Sequence, residues 1–373
     1  MQIVAIRETW PGEQRAGLVP KSVSTLSNYG FKVHVESSIG LGCGYSDREY
    51  QEVGAEILPT TNELLAVADI VISVRRPSVE TIRNTKAGTI LISFLDPFRE
   101  PDLIQLMADQ GITAVSLEML PRTTRAQRMD ALSSQANVAG YAAVVVGAYH
   151  LPRLFPMMIT AAGTITPARV FVIGAGVAGL QAIATARRLG ARVEAFDTRP
   201  VVAEEVRSLG AKFVEFDVGA SEQTKDGYAA ELTHEQLEQQ KRGMAKVMAY
   251  SDLVITTAQV FGRPAPRIIS HEVLLAMKPG SVVIDMAVES GGNVEGSQTE
   301  QIVDIHGVKL IGFANLASSF AAQASTLYAS NVVHFLEEFM HSEKPMIELD
   351  PNNEIAQGCV ITRDGTLVKS LTR

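Results

Sequence analysis

The sequence predicts an α/β protein: two Rossmann-like doubly wound parallel-sheet units, joined by long helices, with a cleft between them. Three observations carry this. Short Val- and Ile-rich runs alternate with helical stretches from end to end, as in parallel sheets. Runs such as Val170-Phe171-Val172-Ile173 are apolar without a break, as in strands covered by helices on both faces. Finally, 373 residues, 46% of them hydrophobic, are enough for two domains of about 150 residues, each with its own core.

The first strands fall at Ile3–Ile6, Phe31–Val35, Asp69–Val74, Thr89–Phe94 and Ile112–Ser116. Asp130 to Leu151 then holds many alanines and no proline, which predicts one long connecting helix. The second series is Arg169–Ile173, Ala191–Phe196, Phe213–Phe216, Asp252–Thr257, Ser281–Met286 and Val308–Ile311. Between its third and fourth strands, Asp217 to Gly243 is polar and has no strand pattern. Long connections of this kind tend to be functional or mobile. It reads either as a loop up to Gly243 or, over His234–Lys241, as a solvated helix. A helix over Ser318–Met340 leads back, so the first lobe comprises 1–135 with 325–373 and the second 136–324. In the tail, Arg363-Asp364-Gly365 between two short apolar runs reads as a tight hairpin turn.

Composition excludes several classes of function. With 33 basic against 41 acidic side chains, the formal net charge of -8 argues against nucleic acid as a partner. Cys43 and Cys359 form no disulfide framework or zinc spacing, and the seven histidines show no metal-ligand spacing, so no metal site is expected. The start MQIVAIRE is not a secretory signal. The most apolar run, Val138–Leu151, falls short of the ~20 residues that span a bilayer, so no direct membrane insertion is expected. There is no G-x-S-x-G and no P-loop, which leaves hydrolysis poorly supported.

The strongest motif is Gly174-Ala175-Gly176-Val177-Ala178-Gly179, set between the strand Arg169–Ile173 and an Ala-rich helix. In G-x-G-x-x-G, the first glycine allows the tight turn, the second admits a pyrophosphate to the backbone, and the third packs helix on strand. The helix N-terminus then holds the phosphates. Asp197, 18 residues past Gly179, ends the next strand. A carboxylate there accepts the adenosine ribose hydroxyls and repels the 2′-phosphate of NADP, which favours NAD. Arg199 qualifies this, because a nearby arginine can accommodate that phosphate. Gly40-Leu41-Gly42-Cys43-Gly44 has the wrong spacing for this fingerprint and reads as a turn.

A second candidate is Pro121-Arg122-Thr123-Thr124-Arg125-Ala126-Gln127-Arg128-Met129-Asp130-Ala131-Leu132-Ser133-Ser134-Gln135, where the first lobe runs into the connecting helix. Its arginines, amides, carboxylate and hydroxyls suit either a ligand grip or helix capping with surface charge.

Together PRTTRAQRMDALSSQANVAGY, VIGAGVAGLQA, AFDTRP, KDGYA, TTAQVFGRPAP and DMAVESGGN resemble the NAD(H)-binding component of proton-translocating NAD(P) transhydrogenase, over almost the whole chain. The resemblance implies NAD(H) on this chain and NADP(H) on a partner subunit. It further implies membrane-spanning subunits that carry the proton path, a homodimer, and a cytoplasmic location peripheral to the inner membrane. The chain would be the soluble polypeptide of a split system or the soluble portion of a longer alpha subunit.

By the same resemblance, Arg122, Gln127, Asp130 and Ser133, with Arg128 and Met129 among them, hold the nicotinamide end. Gly174, Gly176, Val177, Gly179, Asp197, Thr198, Arg199, Gly227 and Gln259 supply the remaining contacts, and Tyr228 sits on a mobile loop that closes over the nucleotide. Gln259 stands where that family has a leucine.

The architecture also resembles alanine dehydrogenase, with Arg15 matching its substrate-carboxylate arginine. That family's lysine is replaced within Val74-Arg75-Arg76-Pro77, its histidine within Ser93-Phe94-Leu95-Asp96-Pro97, and its aspartate by Glu289. Amination requires a general acid/base. Hydride transfer between two nicotinamide rings requires alignment and a dry site. A non-catalytic NAD-sensing module is the third reading.

Overall fold

The computed structural model of the chain describes residues 1–216, 233–342 and 344–369. It divides into two compact units, Met1–Gln135 with Ala317–Arg373, and Ala136–Leu316.

The first unit is built on six strands, β1 (Gln2–Ala5), β2 (Lys32–Glu36), β3 (Glu56–Leu58), β4 (Ile70–Arg75), β5 (Ile90–Phe94) and β6 (Thr113–Ser116). They pair in the order β3-β2-β1-β4-β5-β6, parallel throughout. Strand side chains alternate between faces, so Ile3, Ala5, Ile70 and Ile72 join one core with Leu26, Tyr328 and Phe335, while Val4, Val71 and Leu91 join another with Leu64 and Ile104. Burial on both faces explains why these strands are uninterrupted in their apolarity. The returning helix, Ala321–Glu338, covers the first face and follows a tighter turn over Leu316–Phe320, where the composition predicts one continuous helix. In the tail, Thr362–Arg363 and Thr366–Leu367 pair antiparallel around Asp364 and Gly365, both at positive φ, which makes the anticipated hairpin.

The second unit opens with an antiparallel pair, β7 (Met158–Thr160) and β8 (Gly163–Ile165). Its sheet comprises β9 (Arg169–Ile173), β10 (Arg192–Phe196), β11 (Lys212–Phe213), β12 (Leu253–Thr256), β13 (Val282–Asp285), β14 (Ile302–Ile305) and β15 (Val308–Ile311). The order is β11-β10-β9-β12-β13-β15-β14, parallel except for β14 against β15. That edge pair turns through His306 and Gly307, both at positive φ. The anticipated strand at Phe213–Phe216 is shorter than its apolar pattern, pairing only over Lys212–Phe213.

The helix after the polar stretch begins at His234, not Met244, because Thr233 accepts the Gln236 amide and Gln236 reaches back to the Thr233 amide. Residues 217–232, which include the anticipated contacts Gly227 and Tyr228, lie outside the described residues.

The connecting helix is Ala131–His150. Its glycines are packing sites: a Cβ on Gly147 would meet Leu253 at 2.8 Å, and one on Gly140 would meet the Ala178 carbonyl oxygen at 2.2 Å. Among the described residues, no helix is long and apolar enough to cross a membrane.

Candidate functional site

In an open parallel sheet, ligands collect beyond the strands' carboxyl ends, where the strand order reverses. In the second unit that point lies between β9 and β12, where Gly174 leaves β9 at φ 97°. A Cβ on Gly174 would stand 2.4 Å from Thr257 Oγ1, and one on Gly179 only 1.8 Å from the Gly174 carbonyl oxygen. Both positions are filled by the protein's own backbone and side chains. Gly176 differs, being exposed with nothing within 4 Å of its would-be Cβ. It also opens the helix Val177–Arg188, whose first amides have no intrahelical acceptor. A backbone cradle bare at the second glycine and tight at the first and third fits a pyrophosphate.

Asp197 ties β10 to this turn. Its Oδ2 accepts the Ala175 amide at 2.7 Å, and its Oδ1 accepts the Arg199 amide at 2.8 Å. The Arg199 guanidinium closes a fork on it, Nε to Oδ1 at 3.0 Å and Nη2 to Oδ2 at 3.1 Å. Burial alone would raise the Asp197 pKa, but the Arg199 fork and the two amides outweigh it and hold the carboxyl below its ordinary range. Thr198 is exposed beside it, as is Val177 at the helix start. Gln259 follows β12, and its side-chain amide donates to the Met286 carbonyl at 3.1 Å. The anticipated contacts in the described part of this unit therefore gather at the carboxyl ends of β9, β10 and β12.

Three supports carry no signal in the sequence pattern. Thr257 Oγ1 donates to the Gly174 carbonyl at 3.2 Å. Asn293 donates to the carbonyls of Ala258 and Pro266 at 2.8 and 2.9 Å. Asp285 accepts the amides of Ala287, Asn293 and Val294. They buttress the loop after β12. Thr257 lies in TTAQVFGRPAP, and Asp285 and Asn293 in DMAVESGGN, but spacing alone could not show which loop they brace.

In the first unit, Arg122, Gln127, Arg128, Met129, Asp130 and Ser133 share one segment. Asp130 caps the connecting helix: its Oδ1 accepts the Ser133 amide at 2.8 Å and its Oδ2 the Ser133 hydroxyl at 2.5 Å. Met129 is buried in the core cluster and anchors the segment, so only its backbone is left for a ligand. The Arg128 carbonyl accepts from Asn331 at 2.8 Å while its side chain points to solvent. Arg122 and Gln127 are exposed, and their side chains have no partner among the described residues.

Arg15 is buried and satisfied from within. Its Nε and Nη2 meet Glu13 at 2.8 and 2.6 Å, and its Nη1 meets Gln135 at 2.9 Å. Arg75 Nε approaches the same Glu13 at 3.4 Å. Gly40–Gly44 is a tight turn, with Gly44 at φ 87°. Among the described residues, no group of three or more His, Cys, Asp or Glu is placed to hold a metal ion.

The second unit's strand order and glycine turn define a Rossmann-like α/β protein, and comparison narrows the class. Alanine dehydrogenase/PNT, N-terminal domain, matches residues 4–139, and Alanine dehydrogenase/PNT, C-terminal domain, matches residues 143–370. The chain belongs to this family, one of oxidoreductases. It is 43% identical to the first segment of the split NAD(P) transhydrogenase subunit alpha of Rhodospirillum rubrum, over 99% of this chain and 98% of that one. The crystal structure of transhydrogenase from Sinorhizobium meliloti superimposes with a TM-score of 0.86 at 42% identity, covering 99% of each chain. An L-alanine dehydrogenase structure shares the fold, with a TM-score of 0.81 at 22% identity over 99% of this chain and 97% of that one.

Proposed function

We propose that this chain is the NAD(H)-binding subunit of a proton-translocating NAD(P) transhydrogenase. It holds NAD(H) while hydride passes directly to or from NADP(H) on a partner subunit, and membrane subunits couple the transfer to proton movement. The observation that carries this reading is the cradle at Gly176, bare and open beside the Asp197 carboxylate. The 43% identity over the full length of a transhydrogenase alpha chain supports it.

The residues divide the work. The amides at Gly176 and Val177 would hold the pyrophosphate, and Asp197 would accept ribose hydroxyls. Gln127, Asp130, Arg122 and Ser133 would orient the nicotinamide end. Bound nicotinamide supplies the hydride acceptor and donor. No protein group has to move a proton at the reacting carbons, so these side chains act by alignment and exclusion of water. Arg15 supports the choice against an amino-acid substrate, since Glu13 and Gln135 occupy the donors that would grip its carboxylate. A homodimer and peripheral attachment to the inner membrane belong to the same reading.

Mixing the purified chain with NADH and an NADP-binding partner subunit, then separately with pyruvate and ammonia, tests it. Turnover is expected in the first mixture; turnover only in the second overturns the proposal. Gln127→Ala should slow transfer by about 100-fold through misalignment, with thermal stability unchanged, because the Gln127 side chain has no partner among the described residues.

A further inference from the structure

The four donors at Asp197 are of two kinds. The amides of Ala175 and Arg199 are held by the backbone of the turn. The two guanidinium bonds ride on a side chain that is 40% exposed, whereas the Asp197 side chain is 8% exposed. An ionised carboxylate offers about four acceptor positions, so these donors fill it. An adenosine ribose brings two hydroxyl donors, the number the guanidinium supplies, and only the guanidinium can leave without breaking the turn. A 2′-phosphate brings negative charge and no donor at neutral pH. It would meet Asp197 directly while the nearest cation stays committed to that same carboxylate.

We propose that Arg199 is a specificity-determining residue: the Asp197 fork sequesters its guanidinium, and the pair excludes 2′-phosphorylated dinucleotides while reserving the carboxylate for ribose hydroxyls. Discrimination thus resides in the pair as well as in the acid. Removing the acid leaves a guanidinium at the ribose edge, a group suited to bidentate phosphate recognition. The inference rests on the second unit binding a dinucleotide, as proposed above.

Fluorescence titration of NADH and NADPH into four proteins, the unsubstituted chain, Arg199→Ala, Asp197→Ser and the double variant Asp197→Ser/Arg199→Ala, tests it. Asp197→Asn serves as a near-isosteric check on the turn, with circular dichroism reporting the fold. The unsubstituted chain should prefer NADH. Asp197→Ser should weaken NADH and strengthen NADPH by about tenfold, the equivalent of one charge-assisted hydrogen bond. The double variant should lose that gain. An NADPH gain that persists in the double variant, or no gain in Asp197→Ser and Asp197→Asn alike, overturns the role of Arg199 while leaving the dinucleotide site standing. Failure of the unsubstituted chain to bind either nucleotide overturns the reading beneath it.

Discussion

The two units share a strand order about the point of reversal, yet their reversal points hold opposite contents. Beyond β9 and β12, the second unit presents a bare backbone at Gly176. Beyond β1 and β4, the first unit has filled the equivalent position with its own acids. Glu8 accepts the amides of Val74 at 2.5 Å and Arg75 at 3.2 Å, and Glu13 clasps Arg15 nearby. Free amides at a strand end form an anion site only while no side chain of the protein occupies them. Strand order therefore locates a crevice, and the residues at its mouth decide whether it takes a ligand.

The sharpest way to break this contrast is at the glycines. Gly179→Ala forces a Cβ to 1.8 Å from the Gly174 carbonyl oxygen. It should destabilise the chain by about 3 kcal/mol, read by urea denaturation. Gly176→Ala enters open space, so stability should hold within about 0.5 kcal/mol while NADH affinity falls. Equal losses of stability at the two positions would erase the distinction.

In the first unit, burial pushes the Glu8 carboxyl up to about 8, against the pull of the Val74 amide and with the help of Glu13. The folded state thus binds a proton more tightly than the unfolded chain, whose carboxyl titrates near 4.5. The stabilisation from this group is complete below that pH and is lost as pH rises through about 8. Denaturation midpoints of the unsubstituted chain should fall across this window more steeply than those of Glu8→Gln. Parallel slopes would show that Glu8 is not the buried acid. The smallest effect is expected of Asp130→Ala, which removes the helix cap on Ser133 and should cost about 1 kcal/mol in the same assay. It should also slow hydride transfer beyond what that loss explains.

Legibility followed the range of the interactions. The strand Arg169–Ile173, its glycine turn and Asp197 could be read because their signals lie within one strand-turn-helix unit and the next strand. The β14–β15 hairpin escapes the sequence reading although its signal is local, a His-Gly turn between alternating runs. The onset of the helix at His234 stays open in sequence because the polar composition there suits both a loop and a solvated helix, and the Thr233–Gln236 cap decides it. In the 121–135 segment, ligand grip and helix capping could not be separated by residue type, since Asp130 and Ser133 cap the helix with the same atoms that would contact a ligand.

The sequence by itself determined the alternation of strands and helices, the fingerprint at Gly174–Gly179 and the acid at its ribose edge, because period and turn chemistry are properties of neighbouring residues. Tertiary structure alone decided that Gly140 lies on the Ala178 carbonyl, that Glu8 closes on Val74 and Arg75, and that Gln135 reaches Arg15 across 120 positions of chain. Each of these depends on strands pairing out of chain order, which brings distant residues within hydrogen-bonding or van der Waals distance.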